Sequence, residues 1–255
     1  MDWILLFVCL AAVLFYLTFV LPTQWLKIER IRLPLHAGLK IIQISDLHVE
    51  RNRIRPEKIR RVIEAERPDF LCLTGDFLDK PTSFMLLTPF LKMIQSTSVP
   101  AYAVLGNHDY KLERPEELIR LLEAFGIRVL VNEAAELQEV YLVGVDDFDS
   151  QHSDVDASFQ FVTPRKPVIV MTHDPTITLF MERRYDYLFA GHLHGKQFNL
   201  PFFFKVKDMG PLARSGVYKG LHTMPHGMLY ISKGVGQSGY NFRFLVRSEI
   251  TVHEL

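Results

Sequence analysis

The chain has 255 residues, 48% of them hydrophobic, with 29 basic and 29 acidic side chains. This balance excludes the general attraction to nucleic acid that strongly basic chains show, so we expect no nucleic-acid partner. Two cysteines, Cys9 and Cys72, cannot form a disulfide framework. The length predicts a single α/β domain with a short appendage.

The appendage is the apolar N-terminus, where residues 3–21 carry no charged side chain. As a helix this run would be about 28 Å long, which matches the hydrocarbon core of a bilayer. A core helix would have a polar face, and a signal peptide would have a basic start and a small-residue cleavage site. We therefore predict one transmembrane anchor over residues 1–22. Basic residues follow it and none precedes it, so the positive-inside rule places the rest of the chain in the cytoplasm.

Residues 23–38 are predicted to be a juxtamembrane linker, because Pro22 and Pro34 interrupt regular structure. The main domain is predicted to span residues 39–255. Strands are predicted over 39–45, 69–74 and 101–105, alternating with helices over 56–66, over 84–94 and around Leu118 to Phe125. Further strands are predicted over 128–132, 141–145, 167–172, 185–190, 228–232 and 250–253. Two packed sheets flanked by helices accommodate these elements.

Five polar clusters directly follow predicted strands. They are Ser45-Asp46-Leu47-His48, Gly75-Asp76, Gly106-Asn107-His108-Asp109, Thr172-His173-Asp174 and Gly191-His192-Leu193-His194-Gly195. Carboxyl ends of neighbouring strands open onto one crevice, so we expect these side chains to meet there. Each cluster alone is typical of a turn, and the His-x-His pair alone also suits a structural metal site. Their recurrence at strand ends favours a common functional site.

The side chains in these clusters favour a pair of metal ions over a nucleophile triad. Histidine, aspartate and asparagine offer nitrogen and oxygen ligands, without thiolates, and this set suits Mn²⁺, Fe or Zn²⁺. Asp76 is the expected bridging carboxylate, because its strand lies between two other ligand-bearing loops. Two divalent ions about 3.5 to 4 Å apart activate water for in-line attack on phosphorus. The pattern therefore predicts phosphoester hydrolysis.

The order Asp-x-His, Gly-Asp, Gly-Asn-His-Asp, His and Gly-His-x-His resembles the calcineurin-like metallophosphoesterase superfamily over residues 40–255. The resemblance implies a four-layer αββα sandwich with two divalent metal ions, Mn²⁺ first and Fe, Zn²⁺ or a mixed pair as alternatives. One metal would be held by Asp46, His48 and His194 and the other by Asn107, His173 and His192, with Asp76 bridging them. His108 would contact the scissile phosphate and protonate the leaving group.

The segments Gly191–Gln197 and Gly234–Gly239 look like a bacterial membrane-associated phosphodiesterase subfamily, although Lys196 stands where a glycine is usual. That subfamily includes a UDP-2,3-diacylglucosamine pyrophosphatase of lipid A synthesis. The resemblance implies a single-pass protein of the bacterial inner membrane that acts on a lipid-linked phosphate, with UDP-2,3-diacylglucosamine as the first candidate. A broad phosphodiesterase for soluble substrates is the alternative, and a non-catalytic membrane scaffold is a third reading. Oligomeric state is left open.

Two segments are candidates for substrate or lipid contact. The aromatic stretch 198–207, with Phe202, Phe203 and Phe204, would dip into an anionic membrane surface; a hairpin packed on the core is an equal alternative. The basic run from Arg51 to Arg61 would hold a pyrophosphate or face anionic lipid, or would simply be a solvated helix face. Arg51, Lys196, Ser238 and Arg243 are the further candidate substrate contacts.

Overall fold

The computed structural model describes residues 2–163, 165–200 and 208–255. Its N-terminus is one continuous rod in which helix α1 (Asp2–Phe15) passes through a π-helical turn (Tyr16–Val20) into helix α2 (Leu21–Gln24). The π-turn has a local cause, because Pro22 has no amide hydrogen for an α-helical bond to Thr18. The Leu21 amide instead donates to the Tyr16 carbonyl. The segment Trp3–Gln24 is long and apolar enough to cross a membrane.

The first sheet has six strands in the order β1-β12-β2-β3-β4-β5. Strands β2 to β5 are parallel, and β12 runs antiparallel to β2. The strands are β1 (Lys27–Arg32), β2 (Lys40–Ile44), β3 (Phe70–Thr74), β4 (Ala101–Val104), β5 (Ile127–Val129) and β12 (Glu249–Glu254). Helices α3 (Pro56–Glu66), α4 (Phe84–Thr97) and α5 (Pro115–Ala124) connect the parallel strands.

Strand β1 corrects the predicted linker. Its residues Lys27–Arg32 pair in parallel with β12, from Lys27 opposite Glu249 to Arg32 opposite Glu254. The linker prediction over 23–38 is therefore wrong for this stretch. The strand escaped detection because its four charged residues give no alternating apolar pattern, and because its partner lies at the far end of the chain.

The second sheet also has six strands, in the order β10-β11-β9-β8-β7-β6. The strands are β6 (Glu133–Glu136), β7 (Tyr141–Gly144), β8 (Val168–Met171), β9 (Tyr187–Ala190), β10 (Gly220–Met224) and β11 (Gly227–Ile231). Strands β7, β8, β9 and β11 are parallel, and β6 and β10 pair antiparallel at the edges. Two short helices occur in the connections of this sheet: α6 (Val155–Ser158) between β7 and β8, and α7 (Gly210–Arg214) between β9 and β10. The edge strands β6 and β10 were not predicted.

Alternating side chains divide the core into three layers of packing. Ile42 on β2 packs with Ile59 of α3 on the outer face of the first sheet. Ile41, its neighbour, points the other way and packs with Phe189 between the sheets. Leu188 packs with Leu212 of α7 on the outer face of the second sheet. The predicted four-layer αββα sandwich, preceded by one apolar helix, is confirmed.

Candidate metal centre

All seven predicted ligands lie just beyond the carboxyl ends of strands from both sheets. One group is Asp46, His48, Asp76 and His194, whose ligand atoms all lie within 4.8 Å of one another and are buried. His48 Nε2 lies 3.3 Å from Asp76 Oδ2, and His194 Nε2 lies 3.4 Å from Asp46 Oδ1. Two carboxylates and two imidazoles at this spacing form a donor set that suits a divalent cation.

A second group lies on the other side of Asp76. His173 Nε2 is 3.3 Å from Asp76 Oδ2, and His192 Nδ1 is 3.2 Å from Asn107 Oδ1 and 3.3 Å from His173 Nε2. Asp76 Oδ2 is thus equally distant from an imidazole nitrogen of each group. This is the position that a carboxylate shared by two cations would occupy.

The hydrogen bonds of two imidazoles decide which nitrogen is left for a ligand. His173 Nδ1 lies 2.8 Å from the Thr74 carbonyl oxygen, and His48 Nδ1 lies 3.0 Å from Asp79 Oδ1. Both oxygens can only accept hydrogen bonds, so each Nδ1 carries a hydrogen. Nε2 is therefore the nitrogen that remains to bind a metal ion. The buried Nε2 of His48 has the Asp76 carboxylate 3.3 Å away and forms no other hydrogen bond among the described residues. These residues therefore fit a metal ion on chemical grounds.

The backbone of the site is held in an unusual conformation. Five of the seven predicted ligands have positive φ angles: Asp46 (53°), His48 (37°), Asp76 (55°), His192 (69°) and His194 (46°). Residues other than glycine rarely adopt this region, and they do so mainly where surrounding structure enforces it at functional sites. These conformations lower the stability of the fold, and they direct the five side chains towards one site.

Two glycines allow the ligand-bearing loops to approach one another. A Cβ atom on Gly106 would lie 2.3 Å from Asp76 Oδ1, and one on Gly191 would lie 2.5 Å from Asp46 Oδ2. Real Cβ atoms do not come this close to neighbouring atoms. Any side chain at either position would therefore displace a carboxylate of the site.

The Asp109 carboxylate joins the loop after β3 to the loop after β4. Its Oδ2 accepts from the amides of Asp76 and Gly106, both at 2.9 Å, and its Oδ1 accepts from the amide of Phe77 at 2.9 Å. The same network positions the backbone amide of His108, which donates to Asp76 Oδ1 at 2.9 Å. The shared carboxylate is consequently fixed by main-chain donors on one side and faces the imidazoles on the other.

Asp79 links the first group, through His48, to His108. Its Oδ1 lies 2.7 Å from His108 Nδ1 and 3.0 Å from His48 Nδ1, and its other oxygen pairs with Arg51. Burial by itself would raise the pKa of Asp79, but the hydrogen bonds from His108 and His48 outweigh it and lower that pKa. Asp79 is therefore an ionised acceptor that orients both rings. The sequence reasoning missed this role, although its position three residues after Asp76 was a usable signal.

The charges of the site are strongly coupled. Burial opposes protonation of His48, yet the Asp76 and Asp79 carboxylates prevail and raise its pKa to about 10. Asp76 likewise overcomes burial at His173 and raises that pKa well above its usual value. At His194, burial and then the charge of His48 lower the pKa well below its usual value. The raised pKa values of His48 and His173 show that the carboxylates give the site an excess of negative charge. Divalent cations bound there would neutralise that charge.

The site opens into a cavity of about 1160 Å³. His108 and Asp76 are among its lining residues, together with Lys196 and Ser238, two predicted substrate contacts. The Lys196 ammonium also lies 4.5 Å from the centre of the Tyr218 ring. Within the described part of the chain, Arg51 is not among the lining residues, and its guanidinium pairs with Asp79, which also contacts His108. Phe202, Phe203 and Phe204 lie outside the described residues.

Arg243 corrects a prediction. Its side chain is fully buried, and its Nη2 donates to the carbonyl oxygens of Lys233 (2.8 Å), Gly234 (3.1 Å) and Gly236 (2.6 Å). Burial lowers its pKa to about 10. The guanidinium thus holds the loop behind the site together and does not face the cavity, so the expected substrate contact is wrong. The sequence does not distinguish a buried arginine from a surface arginine, because polar and apolar residues flank both.

The two-sheet fold and this donor set together define a metal-dependent phosphoester hydrolase. The chain belongs to the calcineurin-like phosphoesterase family, whose sequence profile matches residues 39–196. Proteins of this family use a binuclear site for divalent cations. The family assignment and the hydrolase class predicted from the sequence are confirmed.

Three relatives cover most of the chain. An uncharacterized metallophosphoesterase of Bacillus subtilis, YkoQ, is 37% identical over 88% of this chain and 86% of its own length. The UDP-2,3-diacylglucosamine pyrophosphatase LpxG of Chlamydia muridarum is 29% identical, covering 91% of this chain and 90% of its own length. A transmembrane protein with a metallophosphoesterase domain from Danio rerio is 27% identical, covering 84% of this chain and 52% of its own length.

Proposed function

We propose that this protein is a membrane-anchored, two-metal hydrolase of a lipid-linked phosphodiester or pyrophosphate. UDP-2,3-diacylglucosamine is the first candidate substrate, cleaved to UMP and 2,3-diacylglucosamine 1-phosphate for lipid A synthesis. The observation that carries the proposal is the Asp76 carboxylate, which lies between two imidazole-rich groups and lines a large cavity.

The residues divide into two ligand sets and one acid. Asp46, His48 and His194 would hold one cation, Asn107, His173 and His192 would hold the other, and Asp76 would be available to both. Two divalent cations bound there, with Mn²⁺ the first to test, supply Lewis-acid activation of water and neutralise charge on the phosphate.

His108 acts on the leaving group. Asp79 occupies its Nδ1, so Nε2 is the atom that transfers a proton. Water adds to phosphorus and loses one proton to solvent, the bond between phosphorus and the leaving oxygen breaks, and His108 gives that oxygen a proton that it later regains from solvent. Asp79 keeps the ring in the tautomer and orientation that this step requires.

Two observations support a lipid-linked substrate. The chain has an N-terminal helix that can span a membrane, and tethering raises the local concentration of substrates in the same membrane. The similarity to LpxG extends over nine-tenths of both chains. Basic residues Lys27, Arg30 and Arg32 follow the helix, so we propose that the catalytic domain lies on the cytoplasmic side of a bacterial inner membrane.

The test uses the full chain purified in detergent with added Mn²⁺. Hydrolysis of UDP-2,3-diacylglucosamine and of a soluble aryl phosphodiester is compared for the wild type, Asp76→Asn and the matched surface variant Asp156→Asn. We expect both substrates to be cleaved, the lipid far more efficiently, and only Asp76→Asn to abolish both activities. Cleavage of the soluble ester alone would identify a broad phosphodiesterase. A folded, metal-loaded protein that cleaves neither would identify a scaffold and end the proposal.

Location and metal identity have their own measurements. Protease added to intact spheroplasts should leave the C-terminal domain whole, and digestion there would overturn the cytoplasmic assignment. Elemental analysis of protein purified without added metal identifies the ions, since nitrogen and oxygen sites of this kind follow metal supply as well as intrinsic preference.

A further inference from the structure

The apolar helix is packed against one particular segment of the domain, residues 240–245. The Phe15 ring lies 5.4 Å from the Phe242 ring, and the Phe19 ring lies 5.1 Å from the Phe244 ring, centroid to centroid. The amide of Arg243 donates to the carbonyl of Phe19 at 3.0 Å. That carbonyl lies within the π-turn, where α-helical bonding is interrupted. Two ring contacts and one main-chain hydrogen bond therefore form a joint between the helix and segment 240–245.

The position of this joint along the helix sets its depth in a bilayer. The span Trp3–Gln24 has 22 residues, which is about 33 Å of helix against a hydrocarbon core of about 30 Å. With the span centred, Phe19 lies about 6 Å and Phe15 about 12 Å inside the hydrocarbon boundary. The rings of Phe244 and Phe242 contact them and so lie at similar depths. Segment 240–245 must enter the membrane wherever the helix spans it.

The composition and exposure of segment 240–245 suit that location. Tyr240 and Leu245 are 74% and 66% exposed, a poor arrangement in water for two large side chains. Arg243 is the one charged residue in the segment, and its guanidinium is turned inward onto main-chain carbonyls. The outward side of the segment is therefore uncharged and partly apolar, as insertion requires.

Cations lie at the level where the helix ends. The Lys58 ammonium donates to the carbonyl oxygen of Gln24 at 2.9 Å, and the Arg247 guanidinium lies 3.9 Å from the centre of the Trp25 ring. A third cation, Arg53, is paired within segment 240–245 and not at this level, because its Nε donates to Asn241 Oδ1 at 3.2 Å. Basic and tryptophan side chains at this height match the headgroup region of an anionic bilayer. The charge pattern thus agrees with the depth derived from the helix.

The same segment forms part of the cavity wall. Tyr240 lines the cavity together with Phe198 and Leu200. The Phe244 amide donates to the Gln197 carbonyl and the Asn199 amide donates to the Phe244 carbonyl, both at 2.9 Å. The inserted segment and the wall that bears Phe198 are therefore one hydrogen-bonded unit.

We infer that segment 240–245, with Phe198 and Leu200, is a membrane-inserted rim through which the catalytic cavity opens sideways into the bilayer. Acyl chains of a substrate stay in the hydrocarbon and pass along the rim while the phosphate reaches His108. The insertion follows from the helix and its contacts alone, whereas lateral entry of substrate rests on the proposed function. The two parts are tested separately.

The first experiment measures depth without any substrate. In a chain whose Trp3 and Trp25 are changed to Phe, Tyr240→Trp supplies one fluorophore, and the protein is reconstituted into vesicles of phosphatidylethanolamine and phosphatidylglycerol brominated on the acyl chains. We expect about half or more of the emission to be quenched relative to unbrominated vesicles. Phe161→Trp is the control: Phe161 is 77% exposed and lies near the amino ends of β7 and β8, opposite the site. Equal quenching of the two, or none at Tyr240→Trp, would overturn insertion.

The second experiment tests entry. Leu245→Asp puts a charge on the rim at a residue with φ 55°, a conformation that aspartate tolerates better than leucine. In vesicles we expect kcat/KM for the lipid-linked substrate to fall at least tenfold, while hydrolysis of the soluble ester stays within twofold. Phe161→Asp should change neither. A parallel loss on both substrates would refute lateral entry. Quenching without any wild-type lipid hydrolysis would retain the rim and reject the proposed substrate.

Discussion

Replacing Asp79 by asparagine tests whether one carboxylate orients both His48 and His108. The substitution conserves shape and removes the charge that accepts from both imidazoles and from Arg51. If the amide oxygen faces the imidazoles, its NH₂ group confronts the Arg51 guanidinium; if it turns round, both imidazole bonds are lost. Either orientation weakens charge-assisted hydrogen bonds that are about twice as strong as neutral ones.

The size of the effect follows from those bonds. Loss of charge assistance at two imidazoles is worth about 1.5 to 3 kcal/mol, and about 1.4 kcal/mol is a tenfold change in rate. We therefore expect kcat to fall roughly 10- to 100-fold, the range typical of residues that support metal ligands. The assay is hydrolysis of a soluble aryl phosphodiester at saturating Mn²⁺, with a Mn²⁺ titration to separate weaker metal binding through His48 from impaired proton transfer by His108.

Controls define what the loss means. Arg51→Gln removes only the contact on the outer oxygen of Asp79 and should change kcat by less than about threefold, as expected for a partly exposed ion pair. Asp156→Asn, at the surface, should have no effect. Asp79→Asn activity within twofold of the wild type at every Mn²⁺ concentration would refute the reasoning.

Two further predictions concern other parts of the fold. Gly106→Ala places a Cβ atom 2.3 Å from Asp76 Oδ1 and should reduce kcat by about 100-fold or more through displacement of that carboxylate. Gly126→Ala has open space but a φ of 79°, so it should lower stability while leaving the kcat of the folded enzyme unchanged; an active Gly106→Ala enzyme would contradict the geometry. His253 is stacked on Phe189 between the sheets, and burial lowers its pKa to about 3. The unfolded chain therefore takes up a proton below pH 6.5 that the folded chain refuses, so stability is lost as pH falls from 6.5 towards 3, by roughly 2 kcal/mol at pH 5. In thermal or urea unfolding between pH 7 and pH 5, His253→Phe should lose less unfolding free energy than the wild type, by roughly 2 kcal/mol. Equal losses in the two proteins would refute the prediction.

The convergence of the candidate ligands was predictable because the same sequence signal repeats. Asp46, Asp76, Asn107, His173 and His192 each follow an apolar strand, and the ends of such strands meet by topology alone. The long helices were predictable for a similar reason, since apolar residues at helical spacing recur in each. Helix α3 was predicted over residues 56–66 and occupies Pro56–Glu66.

What could not be predicted depends on contacts between distant parts of the chain. Strand β1 exists because β12 offers it a partner, and its own residues carry no strand pattern. Arg243 is buried because three carbonyl groups converge on it, an arrangement that no local spacing encodes. Asp79 stood close to a predicted ligand, but its role depends on His48 and His108 arriving from two other loops.

The junction between helix and domain has a mechanical consequence. Only Trp25 and Leu26 separate the end of α2 from the first residue of β1, and the Arg247 guanidinium donates to the carbonyl oxygens of both. A spanning helix adapts to a thicker or thinner bilayer by changing its tilt. With no slack at this junction, a change of tilt turns the whole catalytic body, so the acyl-chain length of the host lipids sets the angle at which the enzyme meets their surface.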